Sequence, residues 1–114
     1  KKSLEEIEVA IKQLSEKAKQ GKLSRQEVTG GTFTITNLGM YGVDFFTPII
    51  NPPESAILGV GRVADKPVII GGEIEAKPIM TLSLSYDHRT IDGAPAAEFL
   101  RNVKEKIEKL DFNH

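Results

Sequence analysis

The run Met80-Thr81-Leu82-Ser83-Leu84-Ser85-Tyr86-Asp87-His88-Arg89-Thr90-Ile91-Asp92-Gly93 decides how the rest of the chain is read. Met80, Leu82, Leu84 and Tyr86 alternate with Thr81, Ser83 and Ser85, the period of a strand with one apolar face. After Asp92, Phe99, Leu100, Val103, Ile107 and Leu110 share one helical face, and Arg101, Lys104, Glu105, Glu108 and Lys109 the other. Pro95 falls in the first turn of that helix, where no amide donor is needed, and Asp92 is the expected N-cap. Between strand and helix lies a short turn holding His88, the only histidine besides the terminal His114. An imidazole, whose ordinary pKa is about 6.5, exchanges a proton near neutrality as no other unperturbed side chain does. His88 is therefore a candidate acid-base group, with Asp92 four residues on as candidate support. The plainer alternative is a surface histidine beside an ordinary helix cap, and spacing alone does not separate the two.

Upstream, Val68-Ile69-Ile70, Gly71-Gly72 and Glu73-Ile74-Glu75-Ala76 predict a hairpin that leads through Pro78 into that strand. Ala56 to Val63 reads as a buried strand. Gly59-Val60-Gly61-Arg62-Val63-Ala64 superficially matches a dinucleotide fingerprint, but Asp65-Lys66-Pro67 forbids the helix such a site needs. Its glycines are expected to permit close backbone packing instead. In Thr32 to Asn37, Phe33 and Ile35 alternate with Thr32, Thr34 and Thr36, a strand with a hydroxyl-bearing face. A long shaped loop follows, with Gly39 and Gly42 at its start and Pro52-Pro53 near its end. Leu4, Ile7, Ala10, Ile11, Leu14 and Ala18 predict an amphipathic helix over residues 3 to 20, opened by a Ser3-Glu6 capping box and closed by Gly21. Ser24 to Glu27 repeats the Ser-x-x-Glu pattern. Alternating helix and strand, with helices at both ends, argues for a mixed-sheet α/β domain.

With 114 residues, 39% hydrophobic and 27% charged, the composition suits one modest globular domain. A net charge of -1 offers no electrostatic footprint for nucleic acid or an anionic membrane, so neither is an expected partner. Without cysteine there are no disulfides or thiolate ligands, and two histidines far apart supply little for a metal site; metal-free chemistry is expected. No apolar run suits a bilayer, and Lys1-Lys2 lacks the apolar segment of a signal peptide, which fits a cytoplasmic or organelle-lumen protein. The absence of an initiator methionine suggests a segment of something longer.

Tyr86 to Gly93 resembles the active-site signature of the dihydrolipoamide acyltransferases, the core subunits of 2-oxo acid dehydrogenase complexes. Gly30 to Gly42 and Ile49 to Gly61 are similar to that family's other characteristic runs, and the three blocks stand in the same order. The resemblance covers nearly all of this chain. It implies that residues 1–114 are the C-terminal portion of a single acyltransferase catalytic domain whose N-terminal half is absent from this chain. The implied fold is the two-layer, mixed-sheet sandwich of the chloramphenicol acetyltransferase-like type. The implied reaction transfers an acyl group between the thiols of dihydrolipoamide and coenzyme A, the lipoyl group being carried on another domain. Implied partners are two further copies in a homotrimer that assembles into a larger core, lipoyl domains, and the 2-oxo acid decarboxylase and dihydrolipoamide dehydrogenase components. Such complexes are expected in the cytoplasm, or in the mitochondrial matrix of a eukaryote.

Carried over by position, the resemblance makes His88 the base, Thr36 the hydroxyl donor to the tetrahedral intermediate, and Asp92 a residue that holds the loop and its electrostatics. Arg89 either braces the turn through a carboxylate or faces solvent. Asn37 to Gly42 looks more like acetyl-type or broad-range members, because succinyl-type ones tend to carry a second glycine in place of Leu38. Three alternatives stand beside this reading: a non-catalytic structural core homologue, an antibiotic acetyltransferase, and an inactive assembly fragment. The first need not keep the histidine, hydroxyl and aspartate found here, and the second generally has a second histidine where Asp87 stands.

Overall fold

The computed structural model describes residues 1–110; His114, set aside above as a terminal residue, lies outside the described residues. The chain divides into two units, Lys1–Gly31 and Thr32–His114. In the first unit, α1 spans Leu4–Lys19. Its start is written in two side chains: the Glu6 amide donates to Ser3 Oγ (3.2 Å) and the Ser3 amide to Glu6 Oε2 (2.8 Å). Its end is equally local. Gly21 adopts φ +67°, its amide donates to the Ala18 carbonyl and the Lys22 amide to the Lys17 carbonyl, the paired bonds of a left-handed helix stop. Ser24 and Glu27 repeat the reciprocal bonding but cap only a turn, with Lys17 Nζ on Glu27 at 2.6 Å.

The second unit is built on β1 (Thr34–Asn37), β2 (Ala56–Val60), β3 (Ala64–Ile70), β4 (Glu73–Ile79), β5 (Leu82–Tyr86) and α2 (Gly93–Lys109). A three-stranded mixed sheet has the order β1-β2-β5, with β2 parallel to β1 and antiparallel to β5. A parallel pair needs a crossover, most often a helix. Here residues 38–55 supply it with one 3-10 turn, Gly39–Tyr41, and otherwise irregular backbone. β2, hydrogen-bonded on both edges, carries most of the core: Ala56, Ile57 and Leu58 are buried, and Ala96 of α2 joins them.

The expected single strand over 56–63 is interrupted at Gly61, after which the chain bends and resumes as β3. The reason is steric: a Cβ on Gly61 would lie 1.8 Å from the Asp44 carbonyl oxygen, so the crossover loop passes against bare backbone. Arg62 fastens that passage, its amide donating to the Val43 carbonyl at 2.8 Å and its guanidinium to Asp44. The glycines thus permit close approach, and a strand, not a helix, follows them. β3 and β4 form a second, two-stranded sheet joined by Gly71 and Gly72, both at positive φ, the geometry of the turn that matches strand twist.

In β1 the hydroxyl-bearing face is the covered one. Thr34 and Thr36 are half-buried, whereas Ile35 is 66% exposed; Phe33, just outside the strand, meets Phe99 of α2 edge to face at 5.8 Å. The Thr34 hydroxyl is held by Glu54 at 2.5 Å, which turns the hydroxyl face inward. An apolar groove of about 840 Å³ runs between α2, at Leu100 and Ile107, and the β4–β5 connection, at Ile79, Met80 and Leu82.

Gly61→Ala is expected to cost toward the upper end of the roughly 1–3 kcal/mol typical of overpacking, because its clash is with backbone. Gly59→Ala should cost less, since its Cβ would meet only the tip of the Phe46 ring, at 2.9 Å. Urea unfolding midpoints compare the two; equal losses would mean that close backbone approach is not what requires Gly61.

Candidate active site

β5 ends at Tyr86, and the backbone of Asp87 extends its ladder by one bond, the Asp87 amide donating to the Ser55 carbonyl at 2.8 Å. The Asp87 carbonyl then closes the turn, accepting from the amides of Thr90 (3.0 Å) and Ile91 (2.9 Å) and from Thr90 Oγ1 (3.1 Å). Its carboxylate accepts from the Arg89 amide (3.0 Å) and Nε (2.9 Å) on Oδ1, and from Arg89 Nη2 (2.9 Å) on Oδ2. Arg89 therefore braces the turn, and its partner is Asp87 rather than Asp92. The guanidinium first, and the Arg89 amide second, hold the Asp87 carboxyl below its ordinary pKa. The same pair raises the Arg89 guanidinium above its own.

His88 stands on this turn with its ring exposed and its centroid 5.7 Å from that of Tyr86. The Tyr86 hydroxyl in turn reaches the start of α2, 3.3 Å from where a Cβ on Gly93 would be. Asp92 occupies the N-cap position of α2 in extended conformation, but its side chain makes no capping hydrogen bond. The cap position is as expected, and the capping bond is what is absent. A capping carboxylate bonds the second or third helical amide, and the third residue here is Pro95, which has none. The Asp92 carboxylate is thus exposed on the same turn as His88.

Thr36 lies elsewhere. In the register Thr36 faces Gly59, and Gly59 faces Ser83, while the turn of His88 leaves the sheet beyond the Ala56–Tyr86 pair at the opposite end. Three residues along β5 to Tyr86 and two strands across already amount to roughly 14 Å, and the turn that carries His88 starts beyond that strand end. Within one chain His88 and Asp92 both lie on the connection between β5 and α2, and Thr36 lies at the other end of the sheet. Sequence reasoning missed the part played by Asp87, although an aspartate whose carboxylate caps the amide two residues on is a recognisable turn device. The Ser55 contact carries no such local mark.

A family model described as "2-oxoacid dehydrogenases acyltransferase (catalytic domain)" matches residues 1–113, and the chain belongs to that family. Among curated relatives, the succinyltransferase component of the mitochondrial 2-oxoglutarate dehydrogenase complex of Bos taurus is 52% identical over 103 residues, 90% of this chain and 23% of that protein. The acetyltransferase component of the pyruvate dehydrogenase complex of Mycoplasma capricolum is 51% identical over 107 residues, 94% of this chain and 24% of that protein. This chain therefore spans about a quarter of the length of those curated relatives. A probable dihydrolipoamide acetyltransferase from Listeria monocytogenes superposes with a TM-score of 0.93 at 40% identity, over 100% of this chain and 49% of that one. The dihydrolipoamide acetyltransferase of Azotobacter vinelandii, with a TM-score of 0.89 at 43% identity, covers 93% of this chain and 44% of its own. There, the roles of a serine, a histidine and an asparagine in the catalytic mechanism have been investigated, and those residues are spaced along the chain as Thr36, His88 and Asp92 are here. The mixed-sheet α/β fold is thus that of the acyltransferase cores, of the chloramphenicol acetyltransferase-like type.

Because Arg89 depresses the Asp87 carboxyl, the pair's contribution is present above the ordinary carboxylate value and is lost as pH falls through the lowered Asp87 value. Arg89→Gln should therefore move the Asp87 titration up in pH, as read from its carboxyl carbon shift by NMR. An unchanged titration would mean that the pair does not form in solution.

Proposed function

We propose that this chain supplies the C-terminal portion of a dihydrolipoamide acyltransferase catalytic domain that moves an acyl group between the thiols of dihydrolipoamide and coenzyme A. The observation that carries the proposal is the common spacing of Thr36, His88 and Asp92 with the serine, histidine and asparagine of the Azotobacter relative, two of the three sharing one braced turn here. An antibiotic acetyltransferase is disfavoured by the family match, and a purely structural homologue has no need of these three side chains.

His88 serves as the base. A thiol, with an ordinary pKa of about 8.5, attacks a thioester only as its proton leaves. The imidazole takes that proton as the attacking sulfur bonds to the carbonyl carbon. The resulting oxyanion needs a donor aimed at it in advance, and the Thr36 hydroxyl is that donor, a contact of a kind worth about 3 kcal/mol. Collapse breaks the bond to the departing sulfur, which takes the proton back from His88. Asp92, free of any capping bond, supplies charge beside the turn and takes no proton in the scheme. Neither cysteine nor metal is needed, and the lipoyl group, carried on another domain, and coenzyme A enter as substrates.

Since Thr36 and the His88 turn leave opposite ends of one sheet, the reacting pair is drawn from two copies of the chain. A trimer is the assembly we propose, built into a larger core that works with lipoyl domains, a 2-oxo acid decarboxylase and a dihydrolipoamide dehydrogenase; a related pyruvate dehydrogenase core is cubic. Leu38 favours acetyl as the acyl group. A second reading, succinyl, rests on relatives such as the Bos taurus protein, similar over most of the chain.

In the assembled enzyme, His88→Ala should lower kcat by the roughly 10² to 10⁴ typical of lost acid-base catalysis, with assembly intact. Thr36→Ala should lower kcat far more than it changes KM, and Thr36→Ser, which keeps the donor, should be mild. Assays with acetyl- and succinyl-coenzyme A in parallel decide the acyl group. Near-normal turnover of an assembled His88→Ala variant would falsify the proposal.

A further inference from the structure

We propose that Asp87 is the positioning residue of the candidate site: by clasping Arg89 across His88 it fixes where the imidazole stands. The inference rests on the reading of His88 as the base. Every polar atom of Asp87 is engaged. Its amide is tied to Ser55, its carbonyl to Thr90 and Ile91, and its two carboxylate oxygens to Arg89. His88, by contrast, makes no side-chain hydrogen bond to another described residue, and its ring meets only that of Tyr86, at 5.7 Å, so its placement depends on the backbone that carries it.

The geometry places His88 in the middle of two rings. Asp87 Oδ1 on the Arg89 amide closes a turn whose central residue is His88, and the guanidinium fork on Oδ1 and Oδ2 closes a wider ring around the same residue. The backbone on both sides of the imidazole is thereby fixed by one carboxylate. The clasp is anchored beyond the turn as well. Ser55, which receives the Asp87 amide, directly precedes β2 and follows Glu54, whose carboxylate holds Thr34 of β1.

Stability does not account for the pair. The Arg89 side chain is 89% exposed and that of Asp87 21%, and an ion pair so open to water contributes little to folding. What the pair does supply is a fixed separation between residues 87 and 89. A base misplaced by about 1 Å loses on the order of 10² in rate, so a clasp worth little to the fold still governs turnover.

The test uses the assembled enzyme carrying D87N, R89Q, R89K, H88A, and the pairs D87N/R89Q and D87N/H88A. D87N and R89Q should each lower kcat roughly ten- to a hundredfold, with KM for coenzyme A within about twofold and the thermal midpoint unchanged. D87N/R89Q should be no worse than the poorer single variant, and R89K, which keeps one donor, should recover part of the loss. If D87N does not fold, R89Q and R89K, which leave Asp87 and its backbone bonds in place, carry the same test. Because Asp87 acts through His88, D87N should leave the residual rate of H88A unchanged. An undiminished kcat in R89Q, or an equal proportional loss from D87N with and without His88, would overturn the positioning role. Near-normal turnover of H88A alone would instead overturn the assignment of the base.

Discussion

The second unit depends on β2 being hydrogen-bonded on both edges in opposite senses, parallel to β1 and antiparallel to β5. Ala56, Ile57 and Leu58 of that strand are buried, and just beyond its end Gly61 leaves room for the Asp44 carbonyl. Those two pairing senses also fix where chemistry can sit. β1 delivers Thr36 toward one end of the sheet, and β5, running the other way, delivers His88 beyond the opposite end. No change of rotamer spans opposite ends of a sheet that stand roughly 14 Å apart at Thr36 and Tyr86. A reaction that uses both groups has to take them from different copies, so the proposed mechanism carries its own requirement for assembly.

The turn after β5 works by a different economy. Its backbone bonds and its one ion pair converge on Asp87, next to the histidine and not on it, which leaves the imidazole and the Asp92 carboxylate exposed. Pro95 contributes by subtraction: by removing the third helical amide it denies Asp92 one of the two donors that a capping carboxylate uses.

Elements encoded by neighbouring residues were legible in the sequence. The capping box of Ser3 and Glu6, the left-handed stop at Gly21 and the Gly71-Gly72 turn each act within a few positions and were found where expected, whereas the apolar face of the last helix stops short of Leu110, which ends α2 in left-handed conformation and is exposed. Features set by pairing partners distant in sequence were not. The break at Gly61 needs Asp44, the inward hydroxyl face of β1 needs Glu54, and the anchoring of the turn needs Ser55; none of the three leaves a local pattern. At the candidate site, His88 stood out by its rarity and Asp92 by its spacing, while Thr36 came only from family likeness. That Thr36 lies far from the other two could be read only from the strand register.

The claim that one chain cannot assemble the site alone is tested by complementation. Assembled enzyme carrying His88→Ala is mixed with enzyme carrying Thr36→Ala under conditions that exchange subunits, with exchange verified by mass, and acyl transfer to coenzyme A is measured. Mixed assemblies should regain activity well above either parent, because some interfaces then join an intact His88 to an intact Thr36. Verified exchange with no recovery would contradict the account and place both groups within a single chain.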